Sequence, residues 1–294
     1  MRASFSFQAA ATGLLIFFVG FASTFAVIIE GLTKVGASPA QAASGLMALS
    51  VALGAACITL ALATRMPISA AWSTPGAALL ASSTALPGGF SEAVGAFLVS
   101  GALIVAAGLF KPLGRAVAAI PHALGNAMLA GVLFGLCLAP VKAIAAYPWA
   151  GLAIVLVWAV VARFRRLWAM PAAVLVTVAA VLIQARDGGA VAPSWDAIWP
   201  HPVLVMPAVS LQGIVGIAIP LFLVTMASQN IPGIAVLAVN GWKPDAGRLF
   251  AATGVFTLLA APFGGHAVNL AAITAALGAG PDAHPVRRGA IGHP

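Results

Sequence analysis

Cut at its charges and its Pro/Gly-rich breaks, the chain separates into ten apolar stretches: 10–32, 40–63, 70–86, 93–110, 117–139, 143–162, 168–185, 211–238, 247–261 and 267–280. This succession constrains the fold more than any other feature, because a helix needs about 20 apolar residues to cross the hydrocarbon core of a bilayer. The third and tenth stretches are too short to cross as full helices. The first run, behind Arg2, outlasts the apolar core of a signal peptide and is followed by others like it, so it reads as a first span. Charged residues make up 7% of the chain and hydrophobic ones 62%, whereas a soluble domain carries about 25% charged residues. Such a chain cannot cover itself with polar surface in water. The sequence predicts an all-α polytopic membrane protein of about ten spans, solvated by the lipid bilayer.

The net charge of +8 does not point to a nucleic acid, because the basic residues sit in short gaps between apolar runs instead of on one face or tail. They orient the spans. With a cytoplasmic N-terminus, the inside gaps hold Arg2, Arg65, Lys111, Arg115, Arg163, Arg165, Arg166, Lys243, Arg248, Arg287 and Arg288, and the outside gaps hold Lys34, Lys142 and Arg186. Positive residues concentrate on the cytoplasmic side of membrane proteins, so this asymmetry predicts an N-in topology. Cys57 and Cys137 lie inside apolar runs with no disulfide or metal spacing and read as packing residues. No cofactor or metal is expected.

Residues 22–39, "ASTFAVIIEGLTKVGASP", align with 227–244, "ASQNIPGIAVLAVNGWKP", at a shift of 205, matching Ala22, Ser23, Gly36 and Pro39 with Ala227, Ser228, Gly241 and Pro244. After the next span the shift becomes 195, setting "PISAAWSTPG" (67–76) opposite "PFGGHAVNLA" (262–271). Seven spans separate the copies, an odd number, so they point in opposite directions. Inverted repeats with paired short, Gly/Pro-interrupted spans indicate a secondary transporter with its substrate near the midplane. The chain then divides into a first repeat, 1–207, which includes an external loop with Trp195 and Trp199, and an incomplete second repeat, 208–294.

Three polar constellations stand out. In "SAAWSTPGAALLASS" (69–83), Ser73 or Thr74 can cap a half-helix, Pro75 suits its first turn and Gly76 continues it. At membrane depth such a start would turn backbone N–H groups and a positive dipole end toward an anion; at the interface it is an ordinary helix start with Trp72 in the aromatic belt. "GGHAVNLAAITAALGAG" (264–280) is the counterpart, with Asn269 as a cap and His266 able to exchange a proton near neutral pH, or else a plain packing residue. Thr225, Ser228, Gln229 and Asn230 lie midway along a long span, ahead of Pro232, which is expected to break the helix. They read as a substrate-facing patch or as inter-helix hydrogen-bonding groups. Ser23 and Thr24 offer a matching set on the first span. Apart from Glu30, near an end, no span interior holds a carboxylate, so a buried carboxylate pair is not expected to couple transport.

At "WSTPGAALL", "TMASQNIPGIAVL" and "APFGGHAVNLAAITAALGAGPDAHP" the chain resembles the bacterial benzoate membrane transport proteins, which are benzoate:proton symporters. The resemblance runs from about residue 10 to 288. It implies a seven-plus-seven inverted-repeat architecture in which the third and tenth spans begin as short strands and half-helices crossing at the substrate. It also implies a pocket of Ser23, Trp72, Ser73, Thr74, Gly76, Ser228, Gln229, Asn230 and Asn269, with His266 serving proton coupling. The benzoate ring would lie against Trp72 or Phe21. By the family's pattern this chain is C-terminally truncated, stopping four spans short.

The leading expectation is therefore a proton-coupled importer of benzoate or a similar aromatic carboxylate in the bacterial inner membrane, compatible with a homo-oligomer. The competing expectations are a truncated, non-transporting membrane fragment and, third, a passive channel. An enzyme is not expected, since no paired carboxylates, metal-ligand cluster or activated nucleophile appears at depth.

Overall fold

The computed structural model describes residues 21, 24–119, 127, 130, 131, 134, 137–187 and 199–271. In chain order the elements are helix α1 (24–34), α2 (Pro39–Thr64), strand β1 (Ala70–Trp72), α3 (Thr74–Ser82), α4 (Phe90–Leu109), α5 (Lys111–Ala118), α6 (Ala139–Ala146), α7 (Pro148–Phe164), α8 (Arg166–Asp187), α9 (Leu211–Val239), α10 (Ala246–Ala260) and strand β2 (Val268–Leu270). Among the described residues four helices are long and apolar enough to cross a membrane: Pro39–Thr64, Phe90–Leu109, Leu211–Val239 and Ala246–Phe263. The shorter apolar helices Pro148–Phe164 and Trp168–Gln184 correspond to the predicted sixth and seventh spans. The fifth span, the start of the first and most of the tenth lie largely outside the described residues.

Burial follows a lipid-solvated pattern. Ile28, Leu32, Leu49, Phe97, Ile104, Leu221 and Leu249 are fully buried in one core, while Ile58, Leu62, Leu109, Leu175, Leu182 and Leu259 stand exposed. So many large apolar side chains on the outside suit surroundings that are apolar as well. Cys57 is half-buried, but Cys137 is exposed, so the packing role expected for Cys137 does not hold.

Local signals set the element ends. Ser38 opens α2 with a reciprocal cap: its hydroxyl accepts from Gln41 N at 3.3 Å and its own N–H donates to Gln41 Oε1 at 2.9 Å. Helix α1 ends in a turn at Gly36, φ 102°, and α9 in a turn at Gly241, φ 81°. Val35, Gly36 and Ala37 donate to Gly31, Thr33 and Leu32; Asn240, Gly241 and Trp242 donate to Val236, Ala238 and Leu237. Every donor and acceptor of the second set lies 205 residues beyond its partner in the first. A glycine at each left-handed position lets the chain reverse without a Cβ clash.

Helices α4 and α10 pack through glycine. A Cβ at Gly254 would lie 2.6 Å from Val105 N, and one at Gly108 would lie 2.5 Å from Gly247 O. Small residues let backbones approach this closely in membrane bundles, where no hydrophobic force drives helices together. The end of α4 thus meets the start of α10, collecting Lys111, Arg115, Lys243 and Arg248 at one end of the bundle. At the other end, residues 203–208 run extended across three elements. Val203 N donates to Ser44 Oγ, Val205 N to Pro262 O and Ala208 N to Ser91 O, at 2.9, 2.8 and 2.9 Å. This is the second part of the expected external loop; Trp199 is exposed there and Trp195 lies outside the described residues.

The expected break at Pro232 does not occur. Helix α9 runs through it without interruption, widening into two five-residue π turns, Ile214–Ala218 and Met226–Asn230. Each π turn ends two residues before a proline, Pro220 or Pro232. A proline inside an α-helix lacks an N–H and pushes its ring toward the carbonyl four residues back. A wider turn at that point absorbs both defects, and π turns of this kind recur at functional sites.

Candidate functional site at the strand crossing

The third and tenth spans meet as a two-stranded antiparallel ribbon inside the helical bundle. Ala70 pairs with Leu270, Ala71 with Asn269 and Trp72 with Val268. Ser73 N donates to Ala267 O at 3.0 Å and Ala271 N to Ser69 O at 2.8 Å. The otherwise all-α expectation thus acquires the two short strands that the family resemblance implied. Asn269 sits at the centre of β2, not at a helix start, so it is not the cap the sequence suggested.

A ribbon at membrane depth exposes unpaired backbone edges, which hydrocarbon cannot satisfy. Here, side chains from the helices satisfy them. On β2, Leu270 N donates to Asn230 Oδ1 at 2.8 Å and Val268 N to Thr257 Oγ1 at 2.9 Å. On β1, Ala70 N donates to Cys57 Sγ at 3.1 Å. Gly233 of α9 admits this approach, since a Cβ there would come within 2.7 Å of Leu270 Cβ.

Ser73 caps α3 by accepting from Gly76 N at 3.1 Å, and its hydroxyl lies 2.8 Å from Thr225 Oγ1 on α9. Of the four N–H groups that open a helix, that of Ser73 is bound to Ala267, Pro75 has none and that of Gly76 is bound to Ser73. The Thr74 amide is the one left, so the helix start presents one donor, fewer than the sequence suggested. Gly76 is buried where a Cβ would sit 2.5 Å from Leu221 Cδ1. Its smallness serves the close approach of α9.

Trp72 is 7% exposed; its indole N–H donates to Thr24 Oγ1 at 2.9 Å and its ring meets Phe21 edge-on at 5.6 Å. Ser228 and Asn230 are buried on the second π turn and Gln229 is half-buried. The Ser228 hydroxyl donates to Val224 O, and Asn230 Nδ2 lies 3.1 Å from Met226 Sδ. Ser23 lies outside the described residues. The polar turn of α9, the start of α3 and strand β2 are thus brought together.

His266 is fully buried. Its Nε2–H donates to Ser73 O at 2.9 Å, which leaves Nδ1 as an acceptor, and its ring packs edge-on against Phe97 at 6.4 Å. Among the described residues Nδ1 has no partner, and neither does either amide atom of the fully buried Asn269. Buried polar atoms without partners are rare and mark strain, water or a ligand. Glu92 Oε2 is likewise buried and unpartnered. It lies in the first turn of α4, three residues inside a helix that starts earlier than the expected span at 93, so the sequence boundary hid it. Thr257 and Cys57 were missed too. The signal that would have found them is the need for a polar side chain opposite each strand edge.

Among the described residues no group of three or more His, Cys, Asp or Glu side chains could hold a metal ion. An open cleft lined by Gly108, Leu109, Asp245, Gly247, Arg248 and Ala251 lies at the basic end of the bundle, at the opposite end of α10 from the crossing.

Helices long and apolar enough to cross a membrane, enclosing a ribbon with unpartnered polar groups, fit a polytopic membrane protein of the transporter class. The sequence profile described as benzoate membrane transport protein matches residues 3–289, and the chain belongs to that family. Membership places it among membrane transport proteins, not among enzymes. The chain is 38% identical over 276 residues to the inner membrane protein YdcO of Escherichia coli K12, covering 93% of this chain and 69% of that protein. It is 27% identical over 288 residues to the benzoate membrane transport protein of Acinetobacter baylyi ADP1, covering 98% of this chain and 72% of that protein. No solved structure matches it.

Proposed function

We propose that the protein is a proton-coupled importer of benzoate or a similar aromatic carboxylate, acting in the bacterial inner membrane with its N-terminus in the cytoplasm. The observation that carries this reading is the set of three unpartnered buried atoms at the crossing: His266 Nδ1, two residues ahead of β2, and the two amide atoms of Asn269 at the centre of β2. Asn269 can donate to and accept from a carboxyl group. His266 Nδ1 is an acceptor, and an acceptor beside a carboxylate is favourable only when a proton lies between them. Binding the anion thereby takes up a proton, whether it is counted on the imidazole or on the acid.

Around these atoms the pocket comprises Trp72, Ser73, Thr74, Gly76, Ser228, Gln229 and Asn230. Trp72 and Phe21 supply an aromatic wall for the ring, and Thr74 supplies an N–H at the positive end of α3. The two turns related by a shift of 205, together with the antiparallel crossing, support an inverted repeat. The basic end of the bundle supports the orientation. The names of the two relatives support the substrate and the membrane.

Uptake of labelled benzoate into proteoliposomes tests the reading. Uptake that collapses with a protonophore and is lost in His266→Ala or Asn269→Ala supports it. Undiminished uptake with both residues replaced sinks the site, and uptake indifferent to the proton gradient sinks the coupling.

A further inference from the structure

Helices α2 and α10 each hold the strand that follows them by one side chain, and they do so in the same way. Cys57 Sγ accepts from Ala70 N at 3.1 Å and lies 3.6 Å from Ala70 O. Thr257 Oγ1 accepts from Val268 N at 2.9 Å and lies 3.3 Å from Val268 O, with Thr253 O at 2.9 Å as the other acceptor for its proton. Ala70 and Val268 are the first residues of β1 and β2. Each side chain therefore meets both polar groups of the residue where its strand begins. Their N–H groups point away from the partner strand into the buried interior, where only a side chain can bind them.

We propose that Cys57 and Thr257 are equivalent positioning residues, one in each half of the molecule, that fix the register of the crossing strands for substrate binding. The proposal rests on the transporter reading above. Side chains alternate across a strand, so a slip by one residue turns every group to the opposite face. Thr257 holds Val268, the neighbour of Asn269, and so decides which way the unpartnered amide points. Cys57 holds Ala70 and so sets the approach of Ser73 to the start of α3. A substituent that cannot hydrogen-bond leaves an N–H and a carbonyl unpaired in a dry interior, and the strand shifts to satisfy them.

The test compares Thr257→Val with Thr257→Ser, and Cys57→Ala with Cys57→Ser, in the purified full chain. Two measurements are made: backbone hydrogen exchange over 266–271 and 67–73, and benzoate uptake kinetics in proteoliposomes. Thr257→Val is expected to speed exchange over 266–271 by about tenfold and to raise KM by about the same factor while Vmax stays near the parent value, with Thr257→Ser restoring both. Cys57→Ala is expected to act likewise over 67–73, with Cys57→Ser restoring it. Parent-like exchange and KM in Thr257→Val and Cys57→Ala overturn the proposal. So do serine variants as impaired as the variants they are meant to rescue. Should Thr257→Val not accumulate as folded protein, Cys57→Ala decides by the same two measurements. Exchange is read whether or not the parent takes up benzoate, so a parent without uptake counts against the transport reading and leaves the strand clasps to be judged by exchange.

Discussion

His266 donates its Nε2 proton to the carbonyl of Ser73 at 2.9 Å, tying the approach to β2 to the residue that caps α3. Nδ1 of the same ring has no partner among the described residues. One nitrogen holds the crossing together while the other is open to chemistry.

The two nitrogens can be separated by mutation. His266→Gln can still donate to the Ser73 carbonyl, whereas His266→Phe cannot. The glutamine variant is expected to melt near the parent temperature in detergent, and the phenylalanine variant to lose about 0.5–1.5 kcal/mol. Both are expected to lose benzoate uptake at every pH between 6 and 8. Glutamine-variant uptake that still follows the proton gradient would remove His266 from the coupling.

Asn230 accepts from Leu270 N at 2.8 Å inside the protein. Asn230→Leu leaves that N–H buried without an acceptor, at a cost of about 1–3 kcal/mol. The expected outcome is a lower melting temperature together with faster hydrogen exchange at 268–271. A melting curve identical to the parent would show that the bond contributes nothing net.

Gly254 stands where α10 crosses α4. Gly254→Leu must displace backbone atoms of Val105 and Gly101, 2.6 and 2.9 Å from the added Cβ, and is expected to destabilise by about 1–3 kcal/mol. Gly54 of α2 has nothing within 4 Å of the same position, so Gly54→Ala is expected to be neutral. Equal melting temperatures for the two variants would argue against glycine-mediated packing.

Pro232→Ala returns a backbone N–H to α9 two residues after the π turn. The helix can then rewind toward 3.6 residues per turn, relieving a defect that costs an ordinary helix about 3 kcal/mol. Stability is expected to hold or rise while benzoate uptake falls, because Ser228, Gln229 and Asn230 rotate away from the strands. Unchanged uptake kinetics with raised stability would sink the placement of that turn in the pocket.

The apolar runs made the membrane-crossing helices legible, since hydrophobic length depends on composition alone. Gly36 and Gly241 were legible as counterparts because a left-handed turn favours glycine at each position. "WSTPG" announced the start of α3 because Ser73 and Pro75 act within their own turn. The reading failed wherever a residue answers to a distant partner. Pro232 looked like a helix breaker, but the adjacent π turn accommodates it. Asn269 looked like a cap, but Ala71 fixes it in a strand. Nothing in the segment around Asn230 showed that its amide oxygen is bonded to Leu270 N.

What the sequence determined by itself was the solvent and the local punctuation: which segments need lipid, where chains turn and which residue opens α3. These follow from transfer free energies and backbone sterics, which act over a few residues. The tertiary structure alone decided which polar groups are already used and which remain open. Cys57 and Thr257 were consumed in satisfying strand edges, while His266 Nδ1 and the Asn269 amide were left without partners. In a medium without water, each buried polar group must find its partner across the fold, and the sequence does not show which groups lie opposite each other.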